Sequence, residues 1–200
     1  MRPITLLPII LALALLILSC SEENPPTGPE GWQELTSPFN TLWDVRYCFN
    51  HFEETDMSKW FATLVSDDFV FYFDPDDIGD NVGEYTIPAF WTKDEFVNAV
   101  RNLFKQAYSI TLNIPVLEQG EEVFGKPAEG DTTFLKSNVT INLIVMVNEE
   151  TGYQAQGFCD FRFSKGSDSL WRLCEWRDHT SSQLLSIQPA SLGEILAMFY

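Results

Sequence analysis

Residues 137–148 read Ser-Asn-Val-Thr-Ile-Asn-Leu-Ile-Val-Met-Val-Asn, and the period of that stretch decides the fold. Val139, Ile141, Leu143, Val145 and Val147 alternate with Thr140, Asn142, Ile144, Met146 and Asn148. Side chains of a strand point alternately to its two faces, so one face here is apolar throughout and needs cover. The same period continues on both sides. It predicts strands at about 108–118, 132–148, 153–164 and 169–178, with turns at 149–152 and 165–169.

Before residue 108 the period is mostly helical. Ser37-Pro38 is a helix start, an N-cap followed by proline at the first helical position. Phe39, Leu42, Val45, Phe49 and Phe52 then share one face. Asp56 is the expected cap of a shorter helix carrying Met57, Trp60, Phe61, Leu64 and Val65 on one side. Phe69-Val70-Phe71-Tyr72-Phe73 is a strand by composition. It runs into an acidic, turn-rich loop from Asp74-Pro75 to about Pro88. Thr92 and Glu95 form a capping box that opens a third helix with Phe96, Val100, Leu103, Phe104 and Ala107. Ser191 and Glu194 form a second box before Leu192, Ile195, Leu196 and Phe199. Helices followed by a run of strands predict an α+β fold, with helices packed on one face of a strongly curved, mainly antiparallel sheet.

The N-terminus has a different character. Ile4 to Leu18 is apolar apart from Thr5 and Pro8 and follows the single basic Arg2. That run is too short for a spanning helix, which needs about 20 apolar residues, and suits an export signal. Ile17-Leu18-Ser19-Cys20 resembles the cleavage box of bacterial lipoproteins, which implies a lipid on the Cys20 thiol and cleavage just before it. Residues 1–19 are then a signal peptide. Residues 20–31 are the lipidated cysteine and a linker (Ser21 to Gly31 reads SEENPPTGPEG) too rich in Pro, Gly and Glu to pack. Residues 32–200 form one domain. The expected partner is the membrane, through the lipid, and the expected place is the cell envelope outside the cytoplasm. The outer membrane or surface is favoured, since Ser rather than Asp follows Cys20.

Twelve Lys and Arg stand against 29 Asp and Glu, a net charge of −17. Removing residues 1–19 takes away only Arg2, so the remaining chain carries −17 − 1 = −18. An acidic surface of this kind excludes nucleic acid as a partner. Sixteen Phe and six Trp supply a large core or a lined cavity.

The order of elements resembles the cone-shaped nuclear transport factor 2-like (cystatin-like) fold. The resemblance rests on Leu64-Val65-Ser66-Asp67-Asp68-Phe69 with Asp74-Pro75, on Phe158-Cys159-Asp160-Phe161-Arg162-Phe163, and on Trp171-Arg172-Leu173 with Trp176-Arg177-Asp178. That family includes ketosteroid isomerases, scytalone dehydratase, SnoaL-like cyclases and members that only bind. It implies a cone open at one end, with a pocket lined by Phe71, Phe73, Cys159, Phe161 and Leu173. The isomerase pattern is met once in three. Asp74 before Pro75 matches the general base if one extra residue is allowed. Cys159 takes the inward place of the second acid while Asp160 points away, and Tyr47 is out of register for the tyrosine. The resemblance also turns Leu173, Glu175 and Arg177 inward.

Asp74, Glu175, Arg177 and His179 are the catalytic candidates, with Asp178 beside them. Asp74 is also a plain turn residue before proline. His179 ends the last strand, near where cone mouths lie, while His51 falls away from the apolar face of the first helix. No metal is expected. The run from Asp74 fails the EF-hand pattern, with Ile78 at position 5 and Tyr85 at position 12. No cofactor is expected either. Cys159 and Cys174 face each other if the hairpin between them centres near 166–167, and a shift of one residue forbids a bridge. The inward set implied by the resemblance is the forbidding register. Three functions remain: binding a small apolar ligand in the cone; an enzyme of dehydratase, cyclase or hydrolase type; or an interaction module that pairs through its sheet, with one of Trp171 and Trp176 facing out by parity.

Overall fold

Six strands form one sheet in the order β4-β1-β8-β7-β6-β5. They are β1 (Val65–Tyr72), β4 (Phe90–Thr92), β5 (Ser109–Asn113), β6 (Thr133–Met146), β7 (Gly152–Lys165) and β8 (Trp171–Thr180). Neighbours are antiparallel except β1 and β8, which run parallel. A separate hairpin, β2 (Asn81–Val82) and β3 (Tyr85–Thr86), lies in the acidic loop. The computed structural model describes residues 28–180 and 190–200. The expected signal peptide and Cys20 lie outside the described residues, as does all but the end of the linker. Among the described residues no helix is long and apolar enough to cross a membrane.

The helices α1 (Pro38–Asn50), α2 (Met57–Leu64) and α3 (Lys93–Gln106) cover the inner face of the sheet. The Ser37 side chain accepts from the Asn40 N–H at 3.2 Å, the cap its sequence predicts. The Glu95 carboxylate accepts from the Thr92 N–H at 2.8 Å, closing the capping box of α3. Asp56 differs. Its backbone is left-handed at φ 64 and its side chain makes no cap bond. It pairs with Lys59 at 2.5 Å instead. The predicted strand at 108–118 stops at Asn113, where Pro115 begins a helical turn, α4 (Pro115–Glu118), followed by α5 (Glu121–Phe124). The α+β expectation, helices on a curved and mainly antiparallel sheet, is the observed architecture.

A bulge in β8 sets the interior. Phe163 pairs with Leu173, but Arg162 pairs with Glu175, so Cys174 is the extra residue. Trp171 and Leu173 point inward, then Trp176 and Asp178 do. Glu175 and Arg177 therefore lie on the outer face, against the inward placement that the resemblance implied. Both tryptophans are buried, which removes the outward tryptophan expected from simple parity. Cys159 lies opposite Asp178 and Cys174 opposite the Arg162 carbonyl, so both thiols are free and the bridge is absent.

The last element, α6 (Leu192–Ala197), also lies on the inner face, at the end where β1 finishes. Ser191 and Glu194 bond reciprocally at 2.9 Å to start it, as their spacing predicts. Leu192, Ile195, Leu196, Ala197 and Phe199 are buried, and Tyr200 stacks on Trp91 with ring centroids 5.0 Å apart.

Candidate functional site: an acid cluster beneath the C-terminal helix

Phe71 near the end of β1 and Phe73 just after it lie on the inner face and meet edge to face at 5.1 Å. Trp91 packs on Phe73 at 4.6 Å, and Phe161 packs on Trp176 at 4.8 Å. Phe71, Phe73 and Phe161, with Cys159 and Leu173, are the five side chains expected to line a pocket. They share the inner face, and each is at most 2% exposed. α6 packs against part of this set, with Gly193 on Phe73 and Phe71. A methyl added at Gly193 would sit 2.5 Å from Phe73 Cδ1, closer than carbon atoms approach, so only glycine lets the helix seat this deeply. Three clefts among the described residues have none of these five in their walls. One of about 600 Å³ is walled by the ion pairs Lys93–Asp67 and Arg172–Asp168. Another of about 460 Å³ lies between Trp43, Tyr47 and Asn142.

Three carboxyls gather under the first turn of α6. Asp178, only 2% exposed, accepts from the Gly193 N–H at 2.8 Å through Oδ2. Its Oδ1 takes a long contact of 3.7 Å from the Cys159 thiol. Burial is the main cause that lifts the Asp178 pKa to about 7. The Gly193 N–H lowers it, and the charges of Asp77 and Asp74 raise it further. Asp77 is 8% exposed and is pushed up to about 6, again chiefly by burial. The Ser191 hydroxyl bonds it and draws it down, while Glu194, Asp74 and Asp80 raise it. Its Oδ2 is buried without a partner. Asp74 completes the group. Its Oδ1 accepts the Asp76 N–H at 2.8 Å and its carbonyl accepts the Asp77 N–H at 3.0 Å, so it also shapes the strand-end turn expected of Asp before Pro. Burial, with Asp178 beside it, holds the Cys159 thiol well above its ordinary pKa and keeps it unreactive.

The other candidates lie on the opposite face. Arg177 lies over the Tyr72 ring at 4.0 Å and bonds Glu175 at 2.7 Å. His179 pairs with Asp160 at 3.2 Å on that face, not at the acid cluster. The sequence therefore named Asp74 and Asp178 among its candidates but had no means to bring them together, because their meeting depends on the bulge at Cys174. Asp77 falls in the loop that the sequence marks only as acidic and turn-rich. The only local hint of its burial is the pair of turn bonds from Asp77 N–H to Asp74 and from Asp80 N–H to Asp77, which fold the loop inward. His51 is exposed and stacks on Tyr47 at 3.9 Å, in keeping with its position away from the apolar face. Among the described residues no group of three His, Cys, Asp or Glu is arranged to hold a metal ion. A neutral carboxyl beside a thiol, in an apolar surround, can donate or accept one proton and can orient a polar group of a small molecule.

The fold is similar to that of a conserved protein from Planctomyces limnophilus, with a TM-score of 0.51 at 13% identity over 70% of this chain and 91% of that one. It is also similar to a Novosphingobium aromaticivorans protein whose name proposes an aromatic ring hydroxylase, with a TM-score of 0.51 at 10% identity over 85% of this chain and 99% of that one. A nuclear transport factor 2-like superfamily protein from Salmonella enterica aligns with a TM-score of 0.46 at 11% identity, over 74% and 90% of the two chains. No protein-family model and no curated protein sequence matches the chain. At these identities the likeness is one of fold, and function has to be argued from the site.

Proposed function

We propose that the chain is a lipid-tethered binding module of the cell envelope, and that its cone takes a small apolar molecule where α6 now lies. The supporting observation is the docking of α6 itself. Gly193 rests on Phe73 and Phe71, and the buried helix residues occupy the end of the cone that an apolar ligand would need. Apolar walls met by a separate short helix can be met equally by a ligand of similar shape. Asp178 would supply the single polar contact that orients it, as it now does for the Gly193 N–H. The lipid on Cys20 would hold the module at the membrane, in the outer membrane or at the surface. The ligand is then one present in the envelope.

The test is binding of a fluorescent apolar probe, 1-anilinonaphthalene-8-sulfonate, to the full chain and to the Gly193→Ala variant. The variant is expected to bind the probe more tightly, because the added methyl unseats α6. Equal, negligible binding by both proteins, with unchanged near-ultraviolet circular dichroism of the core, overturns the reading. Cys20→Ala is expected to move the protein from the membrane to the soluble fraction of its host.

A second reading has its own observation. Asp178 titrates near neutrality beside a thiol in an apolar site, which suits a general acid of dehydratase type. It predicts turnover that Asp178→Asn abolishes and His179→Ala leaves intact.

A further inference from the structure

The acid cluster and the helix it holds belong to one mechanical unit. Asp178 grips α6 through the Gly193 N–H, and Asp77 meets Ser191 at the cap of the same helix. Asp74 and Asp77 lie on the loop after β1, and Asp178 on β8, so the cluster bridges the sheet to a separate element. We infer that α6 is a proton-operated latch: with the buried Asp77 and Asp178 protonated the helix seats in the cone, and with both ionised the helix is released.

The surroundings of the cluster carry the argument. Asp80 faces it from the loop and Glu194 from α6 itself, and both act on Asp77 with negative charge. On the sheet side the neighbour is Cys159, a thiol held neutral. Asp160 and His179 pair with each other on the far face of the sheet. At the other end of α6, α3 brings Glu95 and Arg101 beside Tyr200, and β3 brings Tyr85. Arg101 bonds Asn98 there. The charges named among the main influences on Asp77 and Asp178 are thus acidic. Two or three carboxylates at this spacing in an apolar site cannot all stay ionised.

The sign follows from proton linkage. A released helix exposes the carboxyls, which return toward the ordinary value near 3.9. The seated state, with Asp77 near 6 and Asp178 near 7, therefore binds more protons than the released state. Seating is fully favourable below about pH 4 and weakens as pH rises toward 7, by up to about tenfold per pH unit for each proton bound. Above about pH 7 the loss is complete. As regulation of a ligand site this rests on the function proposed above. As a motion of α6 it does not need a ligand.

The experiment is amide hydrogen exchange on the full chain in detergent micelles, between pH 5 and pH 8.5, read on peptides from 190–200 and corrected for the intrinsic pH dependence of exchange. Protection is expected to fall at least tenfold across that range. Asp178→Asn and Asp77→Asn are each expected to keep most of the protection at pH 8.5, because asparagine retains an acceptor oxygen and carries no charge. Peptides from α3 serve as the control for folding and should show no pH step; α1 is not used, because it carries the buried Asp44, which burial lifts to about 7. Protection of 190–200 that does not change with pH, or that changes equally in wild type and both variants, overturns the latch. Should Asp178→Asn fail to fold, the wild-type profile and Asp77→Asn decide alone. The apolar probe is added last. A pH step without probe binding at pH 8.5 leaves the latch standing and removes the ligand site, and probe binding without a pH step does the reverse.

Discussion

The two ends of the cone are filled by the same kind of side chain but held in different ways. Beneath α1, α2 and α3 the filling is mostly apolar and rich in aromatic rings. Phe49 meets Phe61 at 5.8 Å and Phe104 at 5.3 Å, and Phe61 meets Phe96 at 5.9 Å, mostly edge to face. At the other end α6 brings Leu192, Ile195 and Leu196, yet it seats on three carboxyls, two of which lie well above their ordinary pKa. The first end is held mainly by apolar contacts that do not titrate. Its one strongly shifted carboxyl, Asp44 on α1, lifted to about 7 by burial, accepts from the Gln33 N–H and belongs to no acid cluster among the described residues. The second is held at a cluster of carboxyls, so its charge penalty depends on pH more steeply. Two regions of equal dryness can thus differ in how strongly pH acts on them.

That contrast can be broken by substitution. Phe96→Ala should cost most, about 3–5 kcal/mol by chemical denaturation, because its ring contacts Phe61, Phe69, Phe71 and Trp176 and nothing nearby can collapse into the gap. Asp178→Asn should do the opposite. It removes a carboxyl whose pKa is raised on folding, so it should stabilise by up to about 3 kcal/mol at pH 8 and not at all near pH 4. Equal effects at the two pH values would erase the distinction between the ends.

Gly193→Ala should cost about 1–3 kcal/mol, the usual range for forcing a methyl into a packed site. The loss should show in the Trp91 fluorescence that Tyr200 shields, with little change in circular dichroism from α1 to α3. A loss spread evenly over the molecule would mean that α6 is as integral as the other helices. Ser37→Ala should be smallest, about 1 kcal/mol, independent of pH, since it removes only a cap bond at the start of α1.

The readable parts of the fold are those written in local chemistry. Ser37-Pro38, Thr92 with Glu95, and Ser191 with Glu194 each announced a helix start, and each forms the expected structure. The alternation from Val139 to Val145 gave the inner face of β6. The misreadings come from places where one residue answers to two influences. Asp56 has the composition of a cap, but its left-handed backbone turns the side chain toward Lys59. Pro115 did carry its signal, since the residue before a proline avoids helix and the proline itself opens one, yet the period of two was extended past it. The acid cluster could not be read, because Asp74 and Asp178 are far apart in sequence. Their meeting depends on a parallel strand pair and on a single bulge, neither of which leaves a periodic trace.

That bulge has a wider consequence. Counted forward from Trp171, alternation turns Glu175 and Arg177 inward; counted back from Asp178, it turns Asp178 and Trp176 inward. Cys174 decides between the two counts. The bulge therefore fixes the charge content of the interior: the same residues in plain alternation would turn the Glu175–Arg177 ion pair inward and Trp176 and Asp178 outward, so the cone would hold a compensated pair in place of a lone carboxyl. Among relatives of this chain, the same strand length with regular pairing at position 174 would mark a different interior, whereas loss of the one extra residue would leave Trp176 and Asp178 facing inward.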